Sequence, residues 1–502
     1  MAPTVSAALP LGSPASSGLD PALNQPPARV HKVHLMGIGG TGMAALAGML
    51  LERGVAVSGS DQKVYPPMSD YLAGLGIEVQ EGYGPQNLAG SPDLVIVGNV
   101  IRADNPEALE LGRRRLPYLS FPQALRHYFL AGRRSLVVAG THGKTTTSSL
   151  LATMLDHAGL DPGFMIGGIV QAFGRSSRTG GGPFFVSEGD EYDTAFFDKG
   201  PKFLHYAPEV CILTGVEFDH ADIYADLAAV KTAFARLVAL MPPQGRLVAF
   251  VDDPVVRELV AVAPCPVLGY GEGAGEGADW RLDKLTVSPG GTGFTVLRQG
   301  ELFGEFFSPM PGRHNALNAL AVIAVLDHLG VPPAEIAAGL AAFTGVRRRQ
   351  EVRGEVGGVT VIDDFAHHPT AVRETLAALK AAYPGRRLVA VFEPRTNSSR
   401  RRVFQEAYVS VFAAADRVLI REPEGLEAIP VDERFSVQRL AADLTAAGLP
   451  ARAFAEVQEI IDQLAVDSRP GDVVAILSNG GFDNIHQRLL ARLGGTERGG
   501  RD

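Results

Sequence analysis

The chain has 502 residues, 46% hydrophobic and 20% charged, with a formal net charge of −9, a composition that suits about three globular domains with several apolar cores. The negative balance argues against a nucleic-acid binder held by phosphate neutralisation, and no stretch approaches the roughly 18 apolar residues of a membrane-spanning helix. Two cysteines, Cys211 and Cys265, are too few for a disulfide framework and point to a reducing, cytoplasmic setting.

Residues 1–29 carry several prolines and no basic residue before Arg29. They fit a signal peptide poorly and read as a disordered tail. From residue 30 the pattern changes. "HKVHLMGIGGTGMAALAGMLLERGVAVSGSD" reads as strand, tight glycine turn, helix and second strand, with Val33 to Met36 the first strand and Ala44 to Leu51 in the helix. The turn completes G-x-G-x-x-G with Gly37, Gly39 and Gly42, enclosing Gly40 and Thr41, and Asp61 follows about twenty residues on. Such a loop admits a pyrophosphate to a helix N-terminus, and the acid can bind ribose hydroxyls. It suits a nicotinamide dinucleotide, another nucleotide, or simply a glycine-rich turn. With the strand "DLVIVGN", this makes a Rossmann-like domain over residues 30–130.

A second unit, residues 131–344, opens on "SLVVAGTHGKTTT". Gly140, Thr141, His142, Gly143, Lys144, Thr145 and Thr146 join a buried strand to a helix. The usual phosphate loop is G-x-x-x-x-G-K-[ST], and here Val138 stands where its first glycine belongs. Backbone amides can still cradle phosphates, Lys144 can reach the terminal one, and the Thr145 hydroxyl can ligate Mg²⁺. Two later strand ends carry acids: Glu188, Asp190, Glu191 and Asp193 in "SEGDEYD", then Asp219, His220 and Asp222 in "EFDHADIY". Strand ends of a parallel sheet face the ligand crevice, so these groups can hold a hard cation between phosphates; an exposed acidic turn is the plainer reading. "GYGEGAGEGADW", residues 269–280, reads as a glycine-rich surface loop. His314, Asn315 and Asn318 open the helix of "GRHNALNALAVIAVLDHLG", either as caps or as partners for an adenine edge.

The third unit, residues 345–502, alternates again through "GVTVIDDF", "RRLVAVFEP", "ADRVLIREP" and "DVVAILSNGG". Arg347, Arg348 and Arg349 stand at the junction, and Asp363, Asp364, His367 and His368 at a strand end. The class is α/β: three domains, the outer two Rossmann-like and the central one a P-loop-type ATPase with a mostly parallel sheet.

Taken in order, these segments resemble the Mur ligases, ATP-dependent amide-forming enzymes of peptidoglycan synthesis, from about residue 31 to 490. That family's phosphate loop is the short G-T-[HN]-G-K-[ST], so "GTHGKT" is its normal form. The strand-end glutamate, the D-H pair, the H-N-x-x-N helix start, the junction arginine and D-D-[FY]-x-H-H-P all follow in sequence. The resemblance implies that Gly37, Gly39, Gly40, Thr41, Gly42 and Asp61 hold the UDP part of a UDP-sugar rather than NAD. It implies Lys144 at the ATP phosphates, Thr145, Glu188 and His220 around Mg²⁺, and His314, Asn315 and Asn318 near adenine. Arg349 and Asp364 would approach ATP from the third domain. One departure is that Ala235 stands where several members carry a carbamylated lysine, with Lys231 at the wrong offset.

Within the family, "DEYDTAFFDKGPKFLHYAP" and "FEPRTNSSR" are similar to the branch that joins UDP-N-acetylmuramate to an intact murein tripeptide, L-alanyl-γ-D-glutamyl-meso-diaminopimelate, in peptidoglycan recycling. The alanine-adding branch more typically shows D-E-S-D and Q-P-H-R at those places. Arg395, with Glu393 and Asn397, is then the candidate for the peptide's carboxylates.

Overall fold

The structure is a computed structural model that describes residues 18–65, 68–221, 223–273 and 277–495. Its architecture follows from where the apolar runs fall. Leu94–Val97 and Val473–Leu477 are buried along their whole length, as strands covered by helices on both faces must be. Among the described residues three large sheets result, beside a two-stranded antiparallel pair, 193–195 with 198–201. The first has five parallel strands in the order 79–81, 56–61, 32–36, 94–97, 118–120. The third has six, ordered 351–356, 359–364, 473–477, 388–392, 417–421, 451–454, and only the first of these is antiparallel to its neighbour.

The central sheet has ten strands, ordered 301–308, 291–298, 280–288, 267–271, 246–250, 210–213, 134–139, 184–189, 163–170, 175–178. Its middle is parallel and its two ends are antiparallel. The helix Arg313–His328 is buried almost all round from Asn315 to Leu326, which explains its lack of a polar face. No helix among the described residues is long and apolar enough to cross a membrane.

Two sequence expectations change. Of the proposed tail, residues 1–17 lie outside the described residues, but residues 18–29 pack on the first domain. Leu19 is buried, Asp20 pairs with Arg115 at 2.7 Å, and Asn24 and Gln123 exchange amide hydrogen bonds. Long-range partners outweigh a proline-rich composition there. The proposed surface loop 269–280 also gives way at both ends. Tyr270 and Trp280 pair in register on adjacent strands and are both buried, because an aromatic side chain gains more from burial than the flanking glycines lose in strand propensity. The antiparallel strands 280–308 that follow carry no nucleotide motif and extend the central sheet.

Candidate active site

Strand register builds the site. Val138 pairs with Glu188 and Ala139 with Leu213, so the loop after Ala139, the Glu188 carboxylate and the segment after Leu213 emerge side by side. Glycine is required twice in the loop. Gly140 (φ +129°) and Gly143 (φ +79°) lie in the left-handed half of backbone space, and a Cβ on Gly143 would stand 2.8 Å from Asn318 Oδ1. The helix starting at Lys144 directs its amides into the space this leaves.

One cavity of about 1060 Å³ collects residues of all three domains. Gly40, Thr41 and Gly42 come from the first domain; the second supplies Thr141 to Thr146, Glu188, His220, His314, Asn315 and Asn318; the third supplies Arg349, Asp364 and His367. Gly37, Gly39 and Asp61 do not line it. Asp61 instead accepts the Gly39 amide at 2.8 Å and braces the turn. Nor do Glu393, Arg395 and Asn397: Arg395 and Asn397 are exposed, while Glu393 accepts the Ser478 hydroxyl at 2.5 Å. Their neighbours Thr396 and Asn479 do reach the cavity. Asp222 lies outside the described residues, and Lys231 pairs with Glu258 at 2.5 Å, away from the cavity lining.

Inside, Lys144 Nζ donates to Gly140 O at 2.6 Å and to Glu191 Oε2 at 2.9 Å. His220 Nε2 stands 3.1 Å from the other Glu191 oxygen. Thr145 Oγ1 donates to Glu188 Oε2 at 3.3 Å and accepts from Arg349 at 3.2 Å across the domain junction. Gly167 N–H donates to Glu188 Oε1 at 2.7 Å. Burial pushes the Glu188 and Asp364 carboxyls up and the Arg349 guanidinium down, because each charge is costly without water; the Arg349 charge opposes the rise at both acids. Arg349 also lies 4.5 Å over the Phe365 ring. Asn315 Nδ2 donates to Gln350 Oε1 at 3.1 Å, tying the adenine candidate to the arginine segment.

The backbone is unusual at two of these places. His220 has φ +56°, and Arg348 (+62°) and Gln350 (+50°) flank Arg349. Such positions are costly for non-glycine residues and concentrate at functional sites.

In the sequence Glu191 is one of four acids after an apolar strand, and Glu217 stands just before the D-H pair, outside that motif. The structure makes both central. Glu217 accepts the Thr370 hydroxyl at 2.7 Å from the third domain. Burial works to raise its pKa, yet the hydrogen bond and charge of His142 and the Thr370 bond carry it down to about 2. The signal available in sequence was position alone, two residues before Asp219 at a strand end. His367 donates from Nδ1 to Phe365 O at 3.0 Å, and burial lowers its pKa to about 4. Tyr192, which departs from D-E-S-D, packs its ring 4.2 Å from that of His220.

A phosphate loop facing a second glycine loop across one cavity, with a third domain docked over it, defines a three-domain ATP-dependent ligase. Comparison with known proteins agrees. The chain matches the Mur ligase family, catalytic domain over residues 32–133, the Mur ligase middle domain over 138–326 and the Mur ligase, glutamate ligase domain over 348–480. It is 41% identical over 460 residues to the UDP-N-acetylmuramate–L-alanyl-γ-D-glutamyl-meso-2,6-diaminoheptandioate ligase of Escherichia coli K12, covering 91% of this chain and 97% of that one. It is 36% identical over 467 residues to the UDP-N-acetylmuramate–L-alanine ligase of Geobacter sulfurreducens, covering 93% and 98%. A crystal structure of a murein peptide ligase from Psychrobacter arcticus superposes with a TM-score of 0.69 at 35% identity, covering 93% of this chain and 99% of that one. The chain belongs to the Mur ligase family, whose members are ATP-dependent, ADP-forming amide ligases.

Proposed function

We propose that this chain joins UDP-N-acetylmuramate to the tripeptide L-alanyl-γ-D-glutamyl-meso-diaminopimelate at the expense of ATP, a cytoplasmic step of peptidoglycan recycling. The observation that carries a ligase reading is the single cavity shared by Gly40–Gly42, the Lys144 loop and Arg349. A UDP-sugar on the first domain and ATP on the second can meet there. The tripeptide rests on the greater identity to the peptide-adding relative (41% against 36%) and on Tyr192 and Arg395, where this chain departs from the alanine-adding pattern.

Carboxylate and amine do not condense in water, so the acid is first activated. A muramoyl carboxylate oxygen attacks the γ-phosphorus of ATP, the bond to the β,γ-bridging oxygen breaks, and ADP leaves an acyl phosphate. The peptide amine then attacks the acyl carbon, the carbon–oxygen bond to phosphate breaks, and the amine sheds a proton. Lys144 and Arg349 act by preorganised charge, since the first step brings two anions together. We assign the proton to His367: its Nδ1–H is engaged by Phe365, which leaves Nε2 as the acceptor. The imidazole is a weak base, but the ammonium formed on attack is a strong acid.

The residues present fit Mg²⁺ in part directly. Thr145 and Glu188 place hard oxygens 3.3 Å apart, near the cis separation of roughly 3 Å in an octahedral site, while His220 is linked through Glu191 to Lys144 rather than to these oxygens. When bound, the cation would neutralise charge on the phosphates. We assign it to Thr145 and Glu188, with His220 at its border; His314, Asn315 and Asn318 border the adenine; and Arg349 and Asp364 close from the third domain. Gly37 and Gly39, with Asp61 behind them, shape the turn through which Gly40, Thr41 and Gly42 meet the UDP-sugar.

Product identification decides the substrate. With ATP, Mg²⁺ and UDP-N-acetylmuramate, equimolar tripeptide and L-alanine should yield predominantly the tripeptide adduct by mass spectrometry. Preferential alanine ligation would move the chain to the alanine-adding branch, and reduced nicotinamide binding would revive the dinucleotide reading of the first loop.

A further inference from the structure

His142, Glu217 and His368 meet at the seam between the phosphate loop and the third domain. Their ligand atoms, one from each side chain, all lie within 4.8 Å of one another. His142 Nε2 stands 3.4 Å and His368 Nδ1 3.6 Å from Glu217 Oε2. Donors about 2.0–2.2 Å from a tetrahedral zinc ion stand roughly 3.3–3.6 Å apart, so both separations match tetrahedral edges. Two histidines and one carboxylate are the donor set of an open zinc site, and imidazole selects such borderline cations over magnesium.

The surroundings are arranged as ligands require. His368 Nε2–H donates to Phe218 O at 3.2 Å, which orients the ring with Nδ1 carrying the lone pair. That lone pair receives only a long 3.3 Å contact from Thr370 N–H. Glu217 is steadied by the Thr370 hydroxyl at 2.7 Å, and Thr141 bonds its backbone at both ends, 2.9 Å to the amide and 3.2 Å to the carbonyl. His142 Nε2 is enclosed, with Glu217 Oε2 facing it at 3.4 Å. None of these three residues belongs to the Thr145, Glu188 and His220 group assigned above to Mg²⁺.

We propose that His142, Glu217 and His368 form a second, separate cation site for a zinc-class ion, one that ties the phosphate loop to the third domain. Because His142 and Glu217 belong to the central domain and His368 to the third, an ion bound there holds the domains closed. Zinc therefore inhibits turnover, since product leaves only when the domains part.

The test is metal binding by the full chain, stripped by chelator and returned to saturating Mg²⁺. Zn²⁺ is titrated in competition with a chromophoric chelator, and Co²⁺ by its visible absorption. One Zn²⁺ per chain is expected, with an intense Co²⁺ band of a four-coordinate site. His368→Asn, which keeps a helix-capping acceptor, and Glu217→Gln should each weaken Zn²⁺ binding by about tenfold or more, whereas His220→Ala should leave it unchanged. Should either ligand variant fail to fold, the other decides. Absence of Zn²⁺ retention in excess Mg²⁺, wild-type affinity in the folded ligand variants, or loss of binding in His220→Ala would overturn the proposal; the last would place the ion among the Mg²⁺ residues.

Discussion

Lys144 Nζ lies 2.9 Å from Glu191 Oε2, and the same carboxylate stands 3.1 Å from His220. The phosphate-loop lysine is thus held over its own loop by an acid that also braces the neighbouring histidine. Burial works to lower the lysine's pKa, but the Glu191 charge and hydrogen bond more than compensate and raise it. The ammonium stays charged, held over the Gly140 carbonyl of its own loop.

Lys144→Ala should therefore reduce ATP turnover by about 10²–10³-fold, the scale of losing one preorganised charge contact. Binding of UDP-N-acetylmuramate, followed by calorimetry, should change little, because Gly40–Gly42 belong to another domain. Comparable losses in both measurements would refute this division of labour.

Glu188→Ala and His220→Ala should each raise the Mg²⁺ concentration needed for half-maximal rate by about tenfold or more. Magnesium titrations of steady-state rate give the answer. Wild-type dependence in both variants would show that the cation sits elsewhere.

Acid stability should report on His314. Burial holds its pKa down to about 4, with Glu374 opposing, and its Nδ1 is enclosed without a partner. Between roughly pH 6.5 and 4 the unfolded chain binds a proton there that the folded chain refuses. Stability therefore falls as pH drops through that window and recovers as pH rises, by at most about 1.4 kcal/mol per pH unit from this group. His314→Gln should flatten the slope of unfolding free energy against pH in urea melts; an unchanged slope would remove His314 from the account.

Arg395→Ala should weaken tripeptide use by at least about tenfold while ATP and UDP-sugar affinities hold, the expected loss of a charge-assisted contact to a carboxylate. A Cβ on Gly480 would collide with the Arg395 side chain, so Gly480→Ala should displace the guanidinium and have a similar, smaller effect. Kinetics with tripeptide and with L-alanine separate the outcomes. An equal loss for both amines would make Arg395 structural.

Much of this protein was readable from local patterns. A glycine loop between an apolar strand and a helix is specified within a dozen residues, since glycine alone accepts the turn's backbone angles at no steric cost. Hence the two glycine loops, the buried strands of three α/β units and the order of the family's motifs are all visible in the sequence. What local pattern misjudged was order set by distant partners: residues 18–29 against Arg115 and Gln123, and the strand pairing of Tyr270 with Trp280.

Tertiary structure alone decided which groups meet. Glu191 reaches Lys144 because the strand just before it, Phe184–Gly189, runs parallel to the one before the phosphate loop. Arg349 reaches Thr145, and His368 reaches Glu217, only because the third domain docks on the second. It also held Arg395 and Asn397 on the exposed surface beside the cavity rather than within it. The physical reason is range. Backbone preference and apolar periodicity act over a few residues, whereas charge pairing and metal geometry act through space between segments whose separation along the chain carries no information about their contact.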